Sequence, residues 1–472
     1  YQEFVNEIER YVAVLDHWQA KSVALLGDNS IQWVLVDFAC QLLNIPLLPL
    51  PAYFTTKQLK HSVKTAACDL LLTDIDGAEQ LAELLSGEVL SEKIDLYRAI
   101  SMVPASRAIV PPGTSKITFT SGSTGYPKGV CLSQQQQWQV ATSLKMAIDN
   151  TTDSHLCLLP LPTLLENVAG IYAAMLNGAT VVIPSLGELG FSGSSSLDFS
   201  RFLGQISAVQ PSSLITTPEI LSGMVIGAEQ GWPVPQSLSF VAVGGSRVSP
   251  GLTARTQKVG IPAYQGYGLS ECASVVSLNT ATQSKVPTAG KVLAHTKVAI
   301  VEGEVIVNGP LFLGYADDKD SWGQSSYATG DMGHVDDNGY LTITGRKKNL
   351  LISSFGRNIN PEWVESELLS SSLIRQAFVF GDAKPFCVAA LNPLSPTITP
   401  VQIDDWIQQI NSQLPDYAQV KGWFLLPQPL LPGSDLLTSN GRPKRDKIVK
   451  FYAQDIERLY QVKVSPLSEI LL

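Results

Sequence analysis

Residues 117–130 read ITFTSGSTGYPKGV, and the rest of the chain can be interpreted around this stretch. Its apolar, β-branched start predicts the end of a β-strand. Six small residues follow, namely Thr120, Ser121, Gly122, Ser123, Thr124 and Gly125. Glycines let several backbone N–H groups point at one place, hydroxyls add donors, and Lys128 adds a positive charge, all of which suit a phosphate. The stretch predicts a phosphate-binding loop. The alternative is a flexible Gly/Ser loop, against which the Pro-Lys-Gly ending argues; the Walker A spacing GxxxxGK[ST] is absent.

Length and composition exclude several classes of protein. A chain of 472 residues with 45% hydrophobic residues is long enough for two or more domains with sizeable cores. A net charge of −9 without a long basic run argues against nucleic acid as a partner. The sequence contains no uninterrupted apolar run of about 18 residues, so we expect no transmembrane segment.

The cysteines and histidines argue against a metal or disulfide framework. Six cysteines are scattered without a CxxC pair, and five histidines are widely spaced. This usage predicts buried thiols in a reducing compartment. With no apparent signal segment and a final EILL in place of a peroxisomal SKL, we expect a cytoplasmic protein.

Strand and helix patterns alternate near the start of the chain. Residues 22–26, 45–50 and 69–73 predict strands, and residues 30–43, with Asn29 or Ser30 as the cap, and 55–64 predict helices, which together indicate βαβ units and a parallel sheet. Short β-like segments over about 283–344 predict a small β-subdomain. A polar break, Gly345-Arg346-Lys347-Lys348, precedes an α+β tail. We therefore predict an α/β fold with a large domain over residues 1–346 and a small C-terminal domain over 347–472.

Three further motifs follow the loop in order: QGYGLSE at 265–271, YATGD at 327–331 and TSNGRPKR at 438–445. Together with TSGSTGYPKG they resemble the signatures of the adenylate-forming superfamily, which includes acyl-CoA synthetases, adenylation domains of peptide synthetases and luciferase. GYGLSE is most similar to the GYGLTE form of acyl-CoA synthetases. The resemblance covers nearly all of the chain and implies the superfamily's large domain followed by a small mobile domain.

The resemblance implies an ATP site with Mg²⁺. Its ATP-binding set is Thr120, Ser121, Gly122, Ser123, Thr124, Gly125, Lys128, Gly244, Gly245, Ser246, Gly266, Tyr267, Gly268, Asp331 and Arg346. Tyr267 offers a ring for adenine to stack on, and Asp331 offers oxygens to both ribose hydroxyls. Ser270 offers a hydroxyl near the α-phosphate, and Glu271 offers a hard oxygen for Mg²⁺. Arg346 offers a planar fork to ribose and phosphate oxygens.

The last motif departs from the family's TxxGKxxR. The family's catalytic lysine falls on Arg442, and Lys444 stands two residues later. Either cation could neutralise the acid and the α-phosphate. We favour Lys444, because a compact ammonium fits where a guanidinium crowds. A basic surface turn without a catalytic role is the alternative for either residue.

The acid pocket is implied by a segment that resembles LPLxHxxE. Residues 159–167 read LPLPTLLEN, with Thr163 in place of the histidine. The implied pocket residues are Thr163, Glu166, Gly245 and Gly268. An aspartate that would pair with an α-ammonium is missing from this segment, and burying an unpaired ammonium is costly. We therefore expect an apolar acid, either aliphatic with a medium or long chain or aromatic, and not an amino acid.

The resemblance also implies a hinge and a thiol site. Lys348 occupies the hinge position, and Gly356 and Arg357 lie where the family receives the pantetheine arm of CoA or of a carrier protein. The expected activity is ATP-dependent formation of an acyl-adenylate and transfer of the acyl group to the thiol of CoA.

Three alternatives stay open at this point. The protein could load an acyl or aryl acid onto the phosphopantetheine of an acyl carrier protein, which a comparison of CoA with carrier protein would reveal. It could be a luciferase-like oxygenase, which light or O₂ uptake would reveal. It could be a nucleotide-binding homologue without catalysis because of Arg442, in which case pyrophosphate exchange would be absent.

Overall fold

The predicted α/β fold is confirmed by a computed structural model, which describes residues 1–104, 108–120, 127–148, 152–192, 196–431, 434–438 and 441–461. Predicted strands and helices near the N-terminus occur within two residues of the expected bounds. The first three central strands are Val23–Leu26, Leu47–Leu50 and Leu70–Thr73, and the helices between them are Ile31–Leu43 and Thr56–Ala66.

Two large mixed sheets form the N-terminal part of the protein. The first has, in spatial order, the strands Gly314–Tyr315, Lys128–Leu132, Lys116–Thr120, Leu47–Leu50, Val23–Leu26, Leu70–Thr73, Tyr97–Met102 and Gly87–Ile94. The second has Lys291–Val292, Ser274–Leu278, Ala263–Leu269, Phe240–Val243, Ser213–Thr216, Ser154–Leu156 and Thr180–Val182. Each sheet is parallel at its centre and antiparallel at one or both edges.

Smaller sheets follow along the chain. An antiparallel sheet contains Lys297–Val301, Glu304–Asn308, Ser326–Val335 and Leu341–Arg346, which matches the expected β-subdomain. The C-terminal tail contains the sheet Ile374–Phe380, Cys387–Pro393 and Val420–Leu425 and the hairpin Leu351–Ile352 with Asn358–Ile359. A short hairpin pairs Phe191–Ser192 with Ser196–Leu197.

The helices cover the faces of these sheets. Besides the two above, they are Gln2–His17, Ala78–Leu85, Gln134–Ala147, Leu164–Glu166, Ala173–Leu176, Phe199–Val209, Pro218–Glu229, Pro250–Lys258, Pro361–Leu368, Pro400–Asn411, Arg445–Phe451 and Ala453–Gln461. A π-helix spans Asn167–Tyr172, and 3₁₀ turns span Ser270–Cys272, Lys319–Ser321, Lys347–Asn349 and Asp416–Ala418. Across the described ranges, we find no helix with the length and apolar character needed to span a bilayer.

Local capping explains where the helices begin. The Ser30 hydroxyl accepts a hydrogen bond from the backbone N–H of Trp33, so Ser30 and not Asn29 is the cap. Residues 134–137 read QQQQ and begin the helix Gln134–Ala147. Ser133 and Gln136 form a reciprocal capping box there, so this run has a structural role at the start of its helix.

A buried ion pair supports the strand that leads into the phosphate loop. Lys116 and Asp37 are 1% and 0% exposed, and Lys116 Nζ lies 2.9 Å from Asp37 Oδ2. The Tyr172 hydroxyl donates to the same oxygen at 2.7 Å, and Asn167 contacts both charged groups. These partners satisfy charges that would otherwise be costly to bury. The strand Lys116–Thr120, the π-helix Asn167–Tyr172 and the helix Ile31–Leu43 are thereby held together.

The core divides near the expected domain boundary. Among the described residues, one group of buried apolar clusters contains side chains up to Ile343, and a second group contains side chains from Leu351 onward. We propose on this basis that the chain divides after residue 346. All six cysteines lie in described parts of the chain, where they are buried and unpaired.

Candidate active site

Two of the predicted motifs meet through a tyrosine and an aspartate. Tyr267, on the strand Ala263–Leu269, donates a 2.6 Å hydrogen bond from its hydroxyl to Oδ2 of Asp331, on the strand Ser326–Val335. Arg346 Nε lies 2.7 Å from the other oxygen, Oδ1. The structure therefore brings three predicted ATP-binding residues, Tyr267, Asp331 and Arg346, into one cluster.

The charge on Asp331 is set by opposing influences. Burial raises the pKa of its carboxyl group above the usual value, while the Arg346 guanidinium and the Tyr267 hydroxyl act to lower it. A carboxylate in this position can accept hydrogen bonds from vicinal hydroxyls, which is the chemistry predicted for a ribose.

The sheet restricts side chains at the glycines on either side of Tyr267, most strictly at Gly268. The pairing of this strand with Ser274–Leu278 shifts register between Tyr267 and Gly268, as in a β-bulge. A Cβ added to Gly268 would lie 1.6 Å from the carbonyl oxygen of Ser274, and one added to Gly266 would lie 3.1 Å from that of Ser277. Close backbone packing excludes a side chain at Gly268 and disfavours one at Gly266. Contact of either glycine with a nucleotide stays a prediction.

Glu271 is held by a pair of tyrosines. It lies with Ser270 in the 3₁₀ turn Ser270–Cys272, and its Oε1 accepts a 2.7 Å hydrogen bond from the hydroxyl of Tyr315. The hydroxyl of Tyr327 lies 3.0 Å from that of Tyr315. Burial, and then the negative charge of Glu271, raise the pKa of Tyr327 to about 12, so these phenols remain protonated donors at neutral pH.

The ends of the predicted phosphate loop are on neighbouring strands. Thr120 ends the strand Lys116–Thr120 and is paired with Lys128, which begins the next strand, Lys128–Leu132. The ammonium of Lys128 lies 4.7 Å from the centroid of the Tyr315 ring. The predicted loop residues Ser121, Gly122, Ser123, Thr124 and Gly125 lie outside the described residues.

The predicted adenine-bordering residues follow the strand Phe240–Val243. Gly244, Gly245 and Ser246 come directly after it, with a bend at Gly245 and Ser246. Gly245 has a φ of +89°, which a residue with a side chain rarely adopts. Arg442 Nη2 is 3.4 Å from the carbonyl oxygen of Gly245 and donates to it.

The preference for Lys444 over Arg442 is opposed by the structure. Lys444 donates its ammonium to the carbonyl oxygen of Ser434 at 2.9 Å and directly precedes the helix Arg445–Phe451. That helix is fixed by the ion pair of Arg445 with Glu365, at 2.6 Å. Arg442 therefore faces the predicted site in this arrangement, and Lys444 forms a hydrogen bond within its own loop.

Arg442 also responds to the charges of the site. Lost hydration lowers the pKa of its guanidinium, the positive charge of Arg346 lowers it further, and Asp331, Glu362 and Glu271 act in the opposite direction. The side chain nevertheless keeps an exposed face. A cation with these neighbours is placed to interact with an anionic ligand.

The placement of Glu166 departs from the predicted pocket role, whereas the pocket role of Thr163 stays a prediction. Glu166 has no exposed surface, and its Oε2 accepts from the backbone N–H groups of Leu158 and Leu159, while His155 Nε2 lies 2.9 Å from its Oε1. The side chain therefore fixes the shape of the pocket segment from behind and does not line a pocket. Thr163 is half-buried, and its hydroxyl donates a 2.7 Å hydrogen bond to the carbonyl oxygen of Pro160.

The predicted hinge and thiol residues lie on the surface. Lys348 is exposed within the 3₁₀ turn Lys347–Asn349, next to the end of the strand Leu341–Arg346. Gly356 has a φ of +72° in an exposed turn, and Arg357 is exposed beside it. These placements are compatible with the roles implied by the resemblance, which stay predictions.

The geometry agrees with comparisons to known proteins. A family model described as AMP-binding enzyme matches residues 1–315, and one described as AMP-binding enzyme C-terminal domain matches residues 348–463. The chain belongs to the AMP-binding enzymes. The adenylate-forming superfamily recognised from the motifs is thereby confirmed.

One curated protein and two solved structures are among those to which this chain is similar. The long-chain-fatty-acid–CoA ligase FadD15 of Mycobacterium bovis is 23% identical over 93% of this chain and 88% of its own length. A crystal structure of the anthranilate CoA ligase AuaEII with anthranoyl-AMP has a TM-score of 0.79 and 16% identity, covering 95% and 91% of the two chains. The o-succinylbenzoate coenzyme A synthetase of Bacillus subtilis, in complex with ATP and magnesium ion, has a TM-score of 0.72 and 22% identity, covering 94% and 93%.

Sequence reasoning missed one residue of the site in this AMP-binding enzyme, Tyr315, and one residue that supports the pocket segment from behind, His155. Tyr315 contacts Glu271 and Lys128, and His155 supports Glu166. The sequence signal that could have pointed to Tyr315 is the Gly-Tyr pair that ends NGPLFLGY. Gly314 is structurally required before Tyr315, because it has a φ of +139° and leaves no room for a side chain against Trp322. His155 carried no signal, because its partner lies 11 residues away in a different element.

Proposed function

We propose that this protein is an ATP-dependent acid–CoA ligase that forms an acyl-adenylate and then a thioester. The observation that carries the proposal is the convergence of Tyr267, Asp331 and Arg346 into one cluster. Arg442 lies within electrostatic reach of Asp331 and Arg346 in this cluster and of Glu271. Membership of the AMP-binding enzymes supports it, as do relatives that are CoA ligases.

The first half-reaction joins the acid to AMP. A carboxylate oxygen of the acid forms a bond to the α-phosphorus of ATP, the bond from that phosphorus to the bridging oxygen breaks, and pyrophosphate leaves with its electrons. Arg442 would offset negative charge at the α-phosphate, and Asp331 would hold the ribose. Mg²⁺, when bound, would neutralise phosphate charge, and Glu271 is the carboxylate that would hold it.

The second half-reaction transfers the acyl group. The sulfur of CoA forms a bond to the acyl carbon, the bond from that carbon to the AMP oxygen breaks, and the thiol proton leaves to solvent. Gly356 and Arg357, on the exposed turn of the small C-terminal part, would receive the pantetheine arm. Arg442 belongs to the same C-terminal part. For the two steps to use Arg442 and this turn in succession, the C-terminal part would turn about Lys348.

We further propose an apolar acid without an α-ammonium group. The pocket segment contributes Leu164 and Leu165, and Leu165 reaches within 3.1 Å of where a Cβ of Gly244 would be. A medium or long aliphatic acid fits the resemblance to fatty acyl-CoA synthetases. An aromatic acid is the second candidate, favoured by the o-succinylbenzoate and anthranilate ligases among the structural neighbours.

An ATP–pyrophosphate exchange assay tests the proposal. The panel contains hexanoate, dodecanoate, palmitate, benzoate, anthranilate, 2-succinylbenzoate, leucine and phenylalanine, each with Mg²⁺ and with excess EDTA. We expect exchange with at least one aliphatic or aromatic acid, and none with the amino acids. Exchange with an amino acid at the rate of the best other acid would contradict the acid class, and no exchange with any compound would contradict adenylation.

The acceptor is tested with the best acid from the panel. We expect CoA to be converted to the thioester with release of AMP. Faster acylation of a phosphopantetheinylated carrier protein would show that the protein loads a carrier. Acid-dependent O₂ uptake or light would show luciferase-like chemistry.

A further inference from the structure

A short segment joins the exit of the phosphate loop to the turn that carries Glu271. Phe312 donates its backbone N–H to the carbonyl oxygen of Glu271 at 2.7 Å. Leu313 donates to the carbonyl oxygen of Cys131 at 2.8 Å, and the strand Gly314–Tyr315 pairs with the strand after the loop. The segment therefore contacts both sides of the predicted triphosphate site through its backbone.

The side chain of Tyr315 makes the same connection between two charges. Its hydroxyl donates to Glu271 Oε1 at 2.7 Å, and its ring centroid lies 4.7 Å from Lys128 Nζ. Glu271 is the predicted partner of Mg²⁺, and Lys128 is the predicted partner of a phosphate. One side chain thus touches both groups that the proposed function assigns to the charge of the bound nucleotide.

The two contacts are chemically separable. The hydroxyl fixes the orientation of the Glu271 carboxylate, and the aromatic face attracts the Lys128 ammonium. A carboxylate has about four lone-pair positions, so accepting this hydrogen bond leaves Glu271 able to hold a cation. Phe312 packs against Tyr315 with ring centroids 4.8 Å apart, and with the backbone pairing it keeps the ring in place without the hydroxyl.

We propose that Tyr315 is a positioning residue that orients Glu271 for Mg²⁺ and Lys128 for phosphate before the nucleotide binds. This inference rests on the proposed function. Tyr315 acts through two other side chains and is not itself assigned a contact with the substrate. Its loss should therefore change the dependence on Mg²⁺ more than the affinity for the acid.

The test uses Tyr315→Phe, which removes the hydroxyl and keeps the ring. Isothermal titration calorimetry measures the dissociation constant of ATP with Mg²⁺ and, separately, with excess EDTA. We expect affinity for Mg²⁺-bound ATP to fall about tenfold, the scale of losing a residue that orients a metal ligand. Affinity for metal-free ATP and the melting temperature of the free protein should stay unchanged. In pyrophosphate exchange, the half-saturating Mg²⁺ concentration should rise and the KM for the acid should not.

A second variant separates the ring from the hydroxyl. Tyr315→Leu removes both, so affinity for metal-free ATP should also fall, because Lys128 loses the aromatic face. The matched control is Tyr264→Phe, on the strand Ala263–Leu269, whose ring stacks on Phe240 and makes neither contact. This control should bind Mg²⁺-bound ATP as the unmodified protein does.

A double-variant comparison tests whether Tyr315 acts through Glu271. Glu271→Gln alone should lower exchange by at least about 10²-fold, as for loss of an electrostatic stabiliser. Adding Tyr315→Phe to that variant should cause little further loss, since residues that act as a unit are not additive. A full additional tenfold loss would overturn the inference.

The outcomes distinguish this inference from the proposed function. Unchanged Mg²⁺ dependence and ATP affinity in Tyr315→Phe, with an active unmodified protein, would overturn the role of Tyr315 alone. An equal loss of affinity with and without Mg²⁺ would also overturn it. An unmodified protein that neither binds ATP nor exchanges pyrophosphate would overturn both.

Discussion

The hydroxyl of Tyr267 donates a 2.6 Å hydrogen bond to the Asp331 carboxylate, joining two motifs that lie 64 residues apart in the chain. Arg346 engages the second oxygen of the same carboxylate at 2.7 Å. The aspartate is therefore oriented from both sides before any nucleotide is present. We infer that pre-orientation of this carboxylate is the role of the tyrosine hydroxyl, apart from any stacking by its ring.

Removal of the Tyr267 hydroxyl should weaken AMP binding modestly. In Tyr267→Phe the ring remains, and loss of one hydrogen bond should cost about 1 kcal/mol, or about fivefold in the dissociation constant. Tyr267→Leu should bind still more weakly, because the ring is lost as well. Calorimetric titration with AMP measures both. Tighter binding by Tyr267→Phe would show instead that the hydroxyl competes with the ribose for Asp331.

Arg442 and not Lys444 should be the cation required for adenylation. Arg442→Ala should lower pyrophosphate exchange by about 10²-fold, because charge at the α-phosphate is then uncompensated. Lys444→Ala should change it by no more than about twofold, as for a surface substitution. Arg442→Lys is the control, since it restores the cation that the family carries at this position. The opposite ranking of the two alanine variants would return the role to Lys444.

Breaking the buried pair of Lys116 and Asp37 by removing one charge should strongly destabilise the large domain. Lys116→Met leaves the Asp37 charge buried without its cation, which should cost about 3–5 kcal/mol. The double change Lys116→Met with Asp37→Asn removes both charges and should recover much of that loss. Urea denaturation of each variant, followed by fluorescence, measures the shift in midpoint. Equal destabilisation of the single and double variants would mean that packing and not charge governs this site.

Lys348 should act as the pivot between the two half-reactions. Lys348→Pro fixes φ near about −65° and removes a backbone N–H. Thioester formation from supplied adenylate should fall at least about tenfold, equivalent to about 1.4 kcal/mol, and adenylation should fall least. Lys348→Ala, which keeps the backbone free, should change neither by a comparable factor. Equal losses in both half-reactions, or none in either, would show an ordinary linker position.

Local pattern in the sequence was enough to predict the fold class and the alternation of strands and helices over residues 22–73. The strands Val23–Leu26 and Leu70–Thr73 and the helix Ile31–Leu43 begin and end within two residues of their predicted bounds. Their signals are alternation, apolar runs and capping residues, all of which act over a few positions. The order of the motifs was likewise enough to identify the family, because each motif is a contiguous stretch.

Partnerships between distant side chains were decided by the tertiary structure. The sequence placed Glu166 in a pocket, but the fold buries it against His155 and two backbone N–H groups. The sequence left both Arg442 and Lys444 as candidates for the catalytic cation. In the fold, Arg442 donates to Gly245 and Lys444 donates to Ser434. A carboxylate or a cation can satisfy its charge in many ways. Which partner it meets depends on how the strands and loops close in space, and nothing in its immediate neighbours along the chain encodes that choice.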